Sequence, residues 1–509
     1  MESWTERSPT LAQIVRALIA IALSSVAVAR ALEPIPGPRG VPLLGVLPTL
    51  IKNSKRMLEF MEELIEQHGG RLKTPWSIFS DGMVVVSSPA DVEHVLSTNH
   101  NNYIRSERLL QAVGEVFGKS FLGLNHAHTP DNGAMLRLQR KVGVKVFTTT
   151  NFRVFAEQIF YKHAQTMVKV VQEQGGKCEM HKLSSQYTLQ AIFDISCGVS
   201  LQDVDPTLGL SFINAMDYVL SYITVRLTVK PYYRYLWWCM PSEYKMRRNE
   251  KIMIDLAEGI LTQRLQESDD VLANRSDIMS LYIKKARELA GEGDAVLDVS
   301  TLRSIFLSFL FAGKDTSSSA ITYTFYALTQ YPNVQQKLFD EIQSIKSTNF
   351  TYEDIKSLRY LDAVVSETMR LYPTVPTSVK RAVEDDHLPD GTFIPGGINV
   401  MINQWYMGRH NPVFGDDLLT FRPERWLEMK TRPSVYDFPV FLGGPRICIG
   451  MNMALLETKM FVAVMVRHFK MQIQDGHQVA KRPYAIGSTL VMKDGLPLQM
   501  MPHDFAQSS

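Results

Sequence analysis

Apolar residues recur at helical spacing over most of the chain, and the longest such run starts near Asp298 or Ser300 and continues to about Gln330, before Tyr331-Pro332. Either Asp298 or Ser300 can cap free helix N–H groups. About 30 residues at about 1.5 Å each give a rod of roughly 45 Å, enough to cross a whole domain. Ile305, Phe306, Phe309, Leu310 and Phe311 make it apolar on several faces, so it reads as a buried central axis. Val334, Leu338, Ile342 and Ile345 repeat with the same period, as do Leu358, Leu361, Val364 and Val365, and these read as core-facing stripes. Strand signals are few: Met83 to Ser87, and a pair flanking Pro389-Asp390-Gly391, a turn tripeptide. The pattern predicts a mainly α fold with small β-sheets.

The N-terminus differs. Leu11 to Ala29 is mostly apolar, but Arg16 interrupts it, and the charge-free part from Ala17 is shorter than the roughly 20 residues a membrane span needs. Arg16 lies near one end, where a long side chain can reach the interface. Basic residues follow at Arg30, Arg39, Lys52, Lys55 and Arg56, which predicts a cytoplasmic chain behind an anchor. The rival is a cleaved signal peptide ending at Ala27-Val28-Ala29, although Glu2 and Glu6 spoil its basic start. Pro34, Pro36, Pro38 and Pro42 then make a stiff hinge. The expected division is an anchor at 1–31, the hinge at 32–42 and one unit at 43–509. Tyr232, Tyr233, Tyr235, Trp237 and Trp238 form an aromatic cluster of the kind that favours a membrane interface.

Charge and cysteine usage narrow the function. Among 509 residues, 54 Lys+Arg against 52 Asp+Glu leave no electrostatic case for nucleic acid. Four cysteines, with no Cys-x-x-Cys, argue for a reducing compartment or one functional thiolate. Cys178, Cys197 and Cys239 read as small apolar fillers. Cys448 stands apart, because a glycine-rich turn from Phe441 through Gly444, Arg446 and Gly450 carries it into an apolar helix. Unpaired N–H groups at a helix start favour a thiolate, and glycines let a bulky ligand approach the backbone.

This stretch resembles the haem-binding signature of the cytochrome P450 family, Phe-x-x-Gly-x-Arg-x-Cys-x-Gly, at every position. The resemblance implies the P450 fold with the long helix over haem b, Cys448 as axial ligand, Arg446 on a propionate and Phe441 shielding the sulfur. Two further motifs agree. Phe311-Ala312-Gly313-Lys314-Asp315-Thr316 matches the family's oxygen-activation pattern, which implies small residues Ala312 and Gly313 beside dioxygen and Asp315 with Thr316 delivering protons. Glu367-Thr368-Met369-Arg370 with Phe421-Arg422-Pro423-Glu424-Arg425-Trp426 implies a buried ion network of Glu367, Arg370 and Arg425. A P-loop at Gly313-Lys314 is excluded, since Ser308 and Asp315 stand where Gly and Ser/Thr are needed. By the same resemblance Arg140 and Arg381 hold propionates, although Leu136 occupies the place of the family's usual tryptophan.

What the resemblance implies is a monooxygenase that puts one atom of O2 into a C–H bond of a lipophilic substrate. NADPH electrons would come through a separate membrane reductase, docked on basic residues such as Arg137, Lys141 and Lys145. Several segments are most similar to fatty-acid ω-hydroxylases, and Phe306, Phe309, Leu310, Thr374, Val375, Val379 and Leu490 would border an apolar pocket. Arg105 and Arg108 are candidates for gripping a carboxylate. The expected setting is the endoplasmic reticulum membrane, facing the cytoplasm, in lipid metabolism. Two rivals remain: a haem-thiolate isomerase or dehydratase that needs no O2, and a non-catalytic haem sensor or carrier.

Overall fold

The computed structural model describes residues 32–503 apart from 42–43, 76, 78–81, 126–129, 202–205, 229–236, 293–297, 475–482 and 488. The apolar segment Leu11–Ala29 and three of the clustered aromatics, Tyr232, Tyr233 and Tyr235, therefore lie outside the described residues. Mostly helical with small sheets, the chain divides into two compact units.

The first unit holds residues up to Ser106 together with Thr377–Tyr406. Its five strands run in the order Leu72–Thr74, Met83–Val86, Asn399–Asn403, Thr377–Ala382, Tyr103–Ile104. Only the Met83–Val86 and Asn399–Asn403 pair is parallel, with Met83 beside Asn399. Val84, Val85 and Val86 are all buried, so this strand is covered on both faces, and the helix Met57–Gln67 lays Ile65 against Leu72 and Val85. The expected hairpin around Pro389-Asp390-Gly391 pairs Asp386–His387 with Phe393–Ile394, and Gly391 takes φ +84°. Residues ahead of this unit's first strand pack onto it. Leu32 and Ile35 are buried, the Lys73 N–H donates to the Pro36 carbonyl at 2.8 Å, and a Cβ on Gly37 would stand 2.1 Å from the Lys73 carbonyl oxygen.

The second unit, Glu107–Pro376 with Met407 onward, carries the long helices. In chain order they are α1 (Glu107–Phe117), α2 (Pro130–Val146), α3 (Tyr161–Glu173), α4 (Met180–Cys197), α5 (Pro206–Thr228), α6 (Pro241–Leu265), α7 (Ile278–Glu292), α8 (Val299–Gln330), α9 (Pro332–Gln343), α10 (Arg359–Leu371) and α11 (Met451–His468). The central axis is α8, 32 residues long. Asp298 caps it by accepting from the Thr301 N–H at 2.8 Å, and Pro332 ends it. Against it lie α4 and α11, with Tyr187 and Phe325 both packed on Phe461. Two hydroxyls of α4 fix the register: Thr188 donates to the Lys314 carbonyl at 2.9 Å and Ser184 to that of Ser318 at 3.2 Å.

Two expectations change here. Ile345 lies beyond the end of α9 and is only half-buried, because the chain leaves the helix after Gln343. Cys178 and Cys197 are buried fillers, but Cys239 is exposed in a short turn after the undescribed 229–236. Among the described residues the helix long and apolar enough to cross a membrane is Thr207–Leu227, which has 44% of its apolar window buried and packs on α6. A buried ion pair, Arg226 with Glu243, joins those two helices, so this apolarity serves internal packing.

Candidate active site

The loop before α11 is built from backbone constraints. Pro439–Phe441 forms a 3-10 turn, and Leu442 then takes φ +59°, the one positive φ of a non-glycine side chain among the described residues. Such a conformation costs about 1–3 kcal/mol unless the surroundings hold it. The holding contacts are present: the Cys448 N–H donates to the Phe441 carbonyl at 2.9 Å, and Gly444 absorbs a further positive φ. Gly443 is required by space, since a Cβ there would meet the Tyr436 ring at 2.7 Å. At Gly450, the N-cap of α11, a Cβ would meet nothing within 4 Å.

Cys448 has exposed surface, yet protein surrounds it closely enough that burial raises its thiol pKa, so that surface lines an interior recess. The Gly450 N–H and the Arg140 guanidinium pull the other way. The helix start thus favours the thiolate as expected, but burial outweighs it. Arg140 itself, its pKa lowered by burial, donates to the Ile447 carbonyl at 2.8 Å, and Arg446 donates to the Leu124 carbonyl at 3.0 Å. Leu136, where the family's tryptophan was missed, is buried in the core. Arg381 and Val379 lie in the first unit, on the Thr377–Ala382 strand.

Within α8 nearly every residue from Thr301 to Leu328 is buried, and the open ones from Ser304 on are Phe311, Ala312, Asp315 and Thr316. At about 100° per residue, Phe311, Asp315, Ala312 and Thr316 together span about 140°, so the opening is a strip along one side of the helix. The Thr316 hydroxyl donates to the Ala312 carbonyl at 2.6 Å, one turn back. The next turn of this strip is closed: Ser319 donates to the Leu490 carbonyl at 2.6 Å while the Leu490 N–H donates to the Thr374 carbonyl at 2.8 Å. Two expected pocket residues, Thr374 and Leu490, are thereby brought to the strip, and Val375 follows Thr374 half-buried.

Other assignments are corrected. Gly313 is buried against α4, where a Cβ would stand 2.7 Å from Ile192 Cγ1, so it serves helix packing rather than the open strip. Leu310 lies about 160° and Phe306 about 120° around the helix from Ala312. Both are fully buried, Phe306 with its ring 6.0 Å from that of Phe193, and neither borders the opening. Phe309, about 60° away, packs on Phe121 and Tyr282.

The ion network closes as expected. Glu367 accepts from Arg370 at 2.7 and 2.8 Å, from Arg425 at 3.0 Å, from the Trp426 ring N–H at 2.8 Å and from the Arg422 N–H at 2.8 Å. Arg370 also donates to the carbonyls of Gly408, Leu418 and Thr420, so α10 is tied to the segment that leads toward the cysteine loop. Two groups escaped the sequence reading. Lys314 is buried inside the Asp-Thr motif and paired with Asp217 and Asp315. Glu457 on α11 is wholly buried, and burial pushes its carboxyl up to about 8 against the opposing Ser317 hydroxyl.

Among the described residues no three His, Cys, Asp or Glu come together to hold a metal. A single sulfur in a recess, an open Gly450 and two nearby arginines fit a flat iron-bearing group with anionic edges. The cytochrome P450 family model matches residues 35–497. Cytochrome P450 CYP94D109 of Paris polyphylla is 29% identical over 84% of this chain and 86% of its own. Cytochrome P450 94B1 of Arabidopsis thaliana is 29% identical over 85% of each. Cytochrome P450 94A1 of Vicia sativa is 26% identical over 92% of this chain and 91% of its own.

The chain belongs to the cytochrome P450 family. It is a haem monooxygenase, an oxidoreductase of the class that uses O2 and electrons delivered by a redox partner.

Proposed function

We propose that this enzyme hydroxylates a C–H bond of a lipophilic substrate, an alkyl chain or fatty acid, with NADPH electrons passed on by a separate membrane reductase. The balance is R–H + O2 + NADPH + H⁺ giving R–OH + H2O + NADP⁺. Cys448 is assigned as the thiolate ligand of haem b, with Arg446 and Arg140 toward its propionates and Phe441, Gly444 and Gly450 framing the loop. Bound there, the haem supplies O2 binding and thiolate-assisted O–O cleavage.

The observation that carries this reading is the open strip on an otherwise buried helix, with small Ala312 and the acid and alcohol of Asp315 and Thr316 side by side. The Thr316 hydroxyl, bonded to the Ala312 carbonyl, is a group that can hold a proton on the open strip, and Asp315 can replenish it. Thr374 and Val375, half-buried at the next turn of the strip, give it a partly apolar end suited to a hydrocarbon. On α2, Arg137, Lys141 and Lys145 are exposed at i, i+4 and i+8, a basic stripe for an acidic reductase surface. The apolar N-terminal segment with basic residues behind it supports an endoplasmic reticulum anchor and a cytoplasmic catalytic unit.

Two measurements test the proposal. Cys448→Ser abolishes the thiolate form of the reduced carbon monoxide spectrum, and an unchanged spectrum refutes the ligand assignment. Mass spectrometry of reductase-driven reactions with fatty acids, alkanes and sterols identifies the substrate class. Absence of reductase-dependent NADPH consumption would instead favour a carrier, and conversion without O2 an isomerase or dehydratase.

A further inference from the structure

The buried lysine inside the acid–alcohol motif has no role in the reading above. Lys314 is 4% exposed, and its ammonium donates to Asp315 Oδ1 at 2.6 Å and to Asp217 Oδ1 at 2.8 Å. Asp315 belongs to the open strip of α8, whereas Asp217 belongs to α5 and its side chain is 53% exposed to solvent. One buried cation is thus shared by two carboxylates on two helices. Its root is immobile, because the Lys314 carbonyl is bonded to Thr188 of α4. Burial works against a charged lysine here, but the fields of Asp315 and Asp217 more than offset it, and the pKa is raised. The cluster's other titratable neighbour, His181 of α4, has its pKa lowered by burial and adds no charge near neutrality.

A buried ammonium cannot release both partners, since an uncompensated interior charge is strongly unfavourable. Asp315 is therefore freest to turn toward Thr316 when Asp217 stays on Lys314. When α5 withdraws Asp217, Lys314 has only Asp315 left to hold. We propose that Lys314 is a positioning residue that latches α5 to the acid of α8, so that the seating of α5 sets whether Asp315 can pass on its proton. The proposal rests on the reading of Asp315 and Thr316 as the proton-delivering pair.

The test uses the haem-loaded enzyme with its reductase and the variants Lys314→Met, Lys314→Arg, Asp217→Asn and Asp315→Asn. Amide hydrogen exchange over residues 206–228 reads the latch without any turnover. Lys314→Met and Asp217→Asn each raise it by about fivefold or more, the lower end of a site-to-site coupling. Asp315→Asn leaves it near wild type, because the arm to Asp217 remains, and Lys314→Arg restores it. The second readout is hydrogen peroxide formed per NADPH, from O2 + NADPH + H⁺ giving H2O2 + NADP⁺. Asp217→Asn raises that share although it lies off the open strip. Unchanged exchange in both Lys314→Met and Asp217→Asn overturns the latch. So does faster exchange in Asp217→Asn with no added peroxide, which would leave the bridge as mere helix packing. If Asp315→Asn itself leaves the peroxide share unchanged, the acid assignment falls and the latch with it, while the exchange data still report whether α5 is held.

Discussion

Replacing Glu367 by Gln removes one negative charge from the centre of a network in which both cationic partners are buried. Glu367 and Arg370 are 0% exposed and Arg425 is 1% exposed, so water cannot take over the lost pairing. Breaking a buried pair by neutralising one partner costs about 3–5 kcal/mol. Asp417 provides an internal control, because it also binds Arg425, at 2.8 Å, but is 38% exposed. Asp417→Asn is expected to cost about 1 kcal/mol or less. Denaturant unfolding of the haem-loaded protein, followed by circular dichroism, measures both. Tryptophan emission adds a local report, since the Trp426 ring N–H donates to Glu367. Equal midpoints for the two variants, or a loss below about 1 kcal/mol for Glu367→Gln, would refute the reasoning that the uncompensated charge dominates.

Further outcomes follow from other features. Burial holds Glu457 protonated up to about pH 8, well above its unfolded value. The folded state then binds the extra proton between those limits, and stability falls as pH rises through them. Glu457→Gln flattens that decline in unfolding midpoints measured from pH 5 to 8, and parallel slopes would count against the buried acid. Gly313→Ala drives a methyl group into Ile192 and costs about 1–3 kcal/mol, and Ile192→Val in the same chain recovers part of it in thermal unfolding. Reversing the charges of Arg137, Lys141 and Lys145 raises the apparent reductase KM while the carbon monoxide spectrum stays as in wild type; unaltered reductase kinetics would exclude this docking face.

Local chemistry was the legible part. Asp298 as a cap, Pro332 as a stop, Gly391 in its turn and the loop from Phe441 to Gly450 are each set by residues close in sequence, and each stands where the pattern placed it. Azimuth around α8 was harder. A helix apolar on several faces does not say which side is covered by α4, so Phe306, Leu310 and Gly313 were assigned to the wrong side. The partner of Lys314 was out of reach because Asp217 comes 97 residues earlier, on a helix whose packing no local pattern encodes. A lysine amid buried apolar residues was nevertheless a signal, since such a charge requires a counter-charge. The same holds for Glu457, a lone acid within the apolar run of α11.

The packing of Leu32, Ile35 and Pro36 onto the first unit's edge strand bears on everything upstream of it. A proline-rich stretch hanging free would act as a swivel, letting the body tumble beneath whatever holds the N-terminus. Glued down by two buried side chains and a main-chain bond to Lys73, it behaves instead as a selvedge on the sheet. Any side chain at position 37 would pry it loose from the Lys73 backbone and unpick that hem.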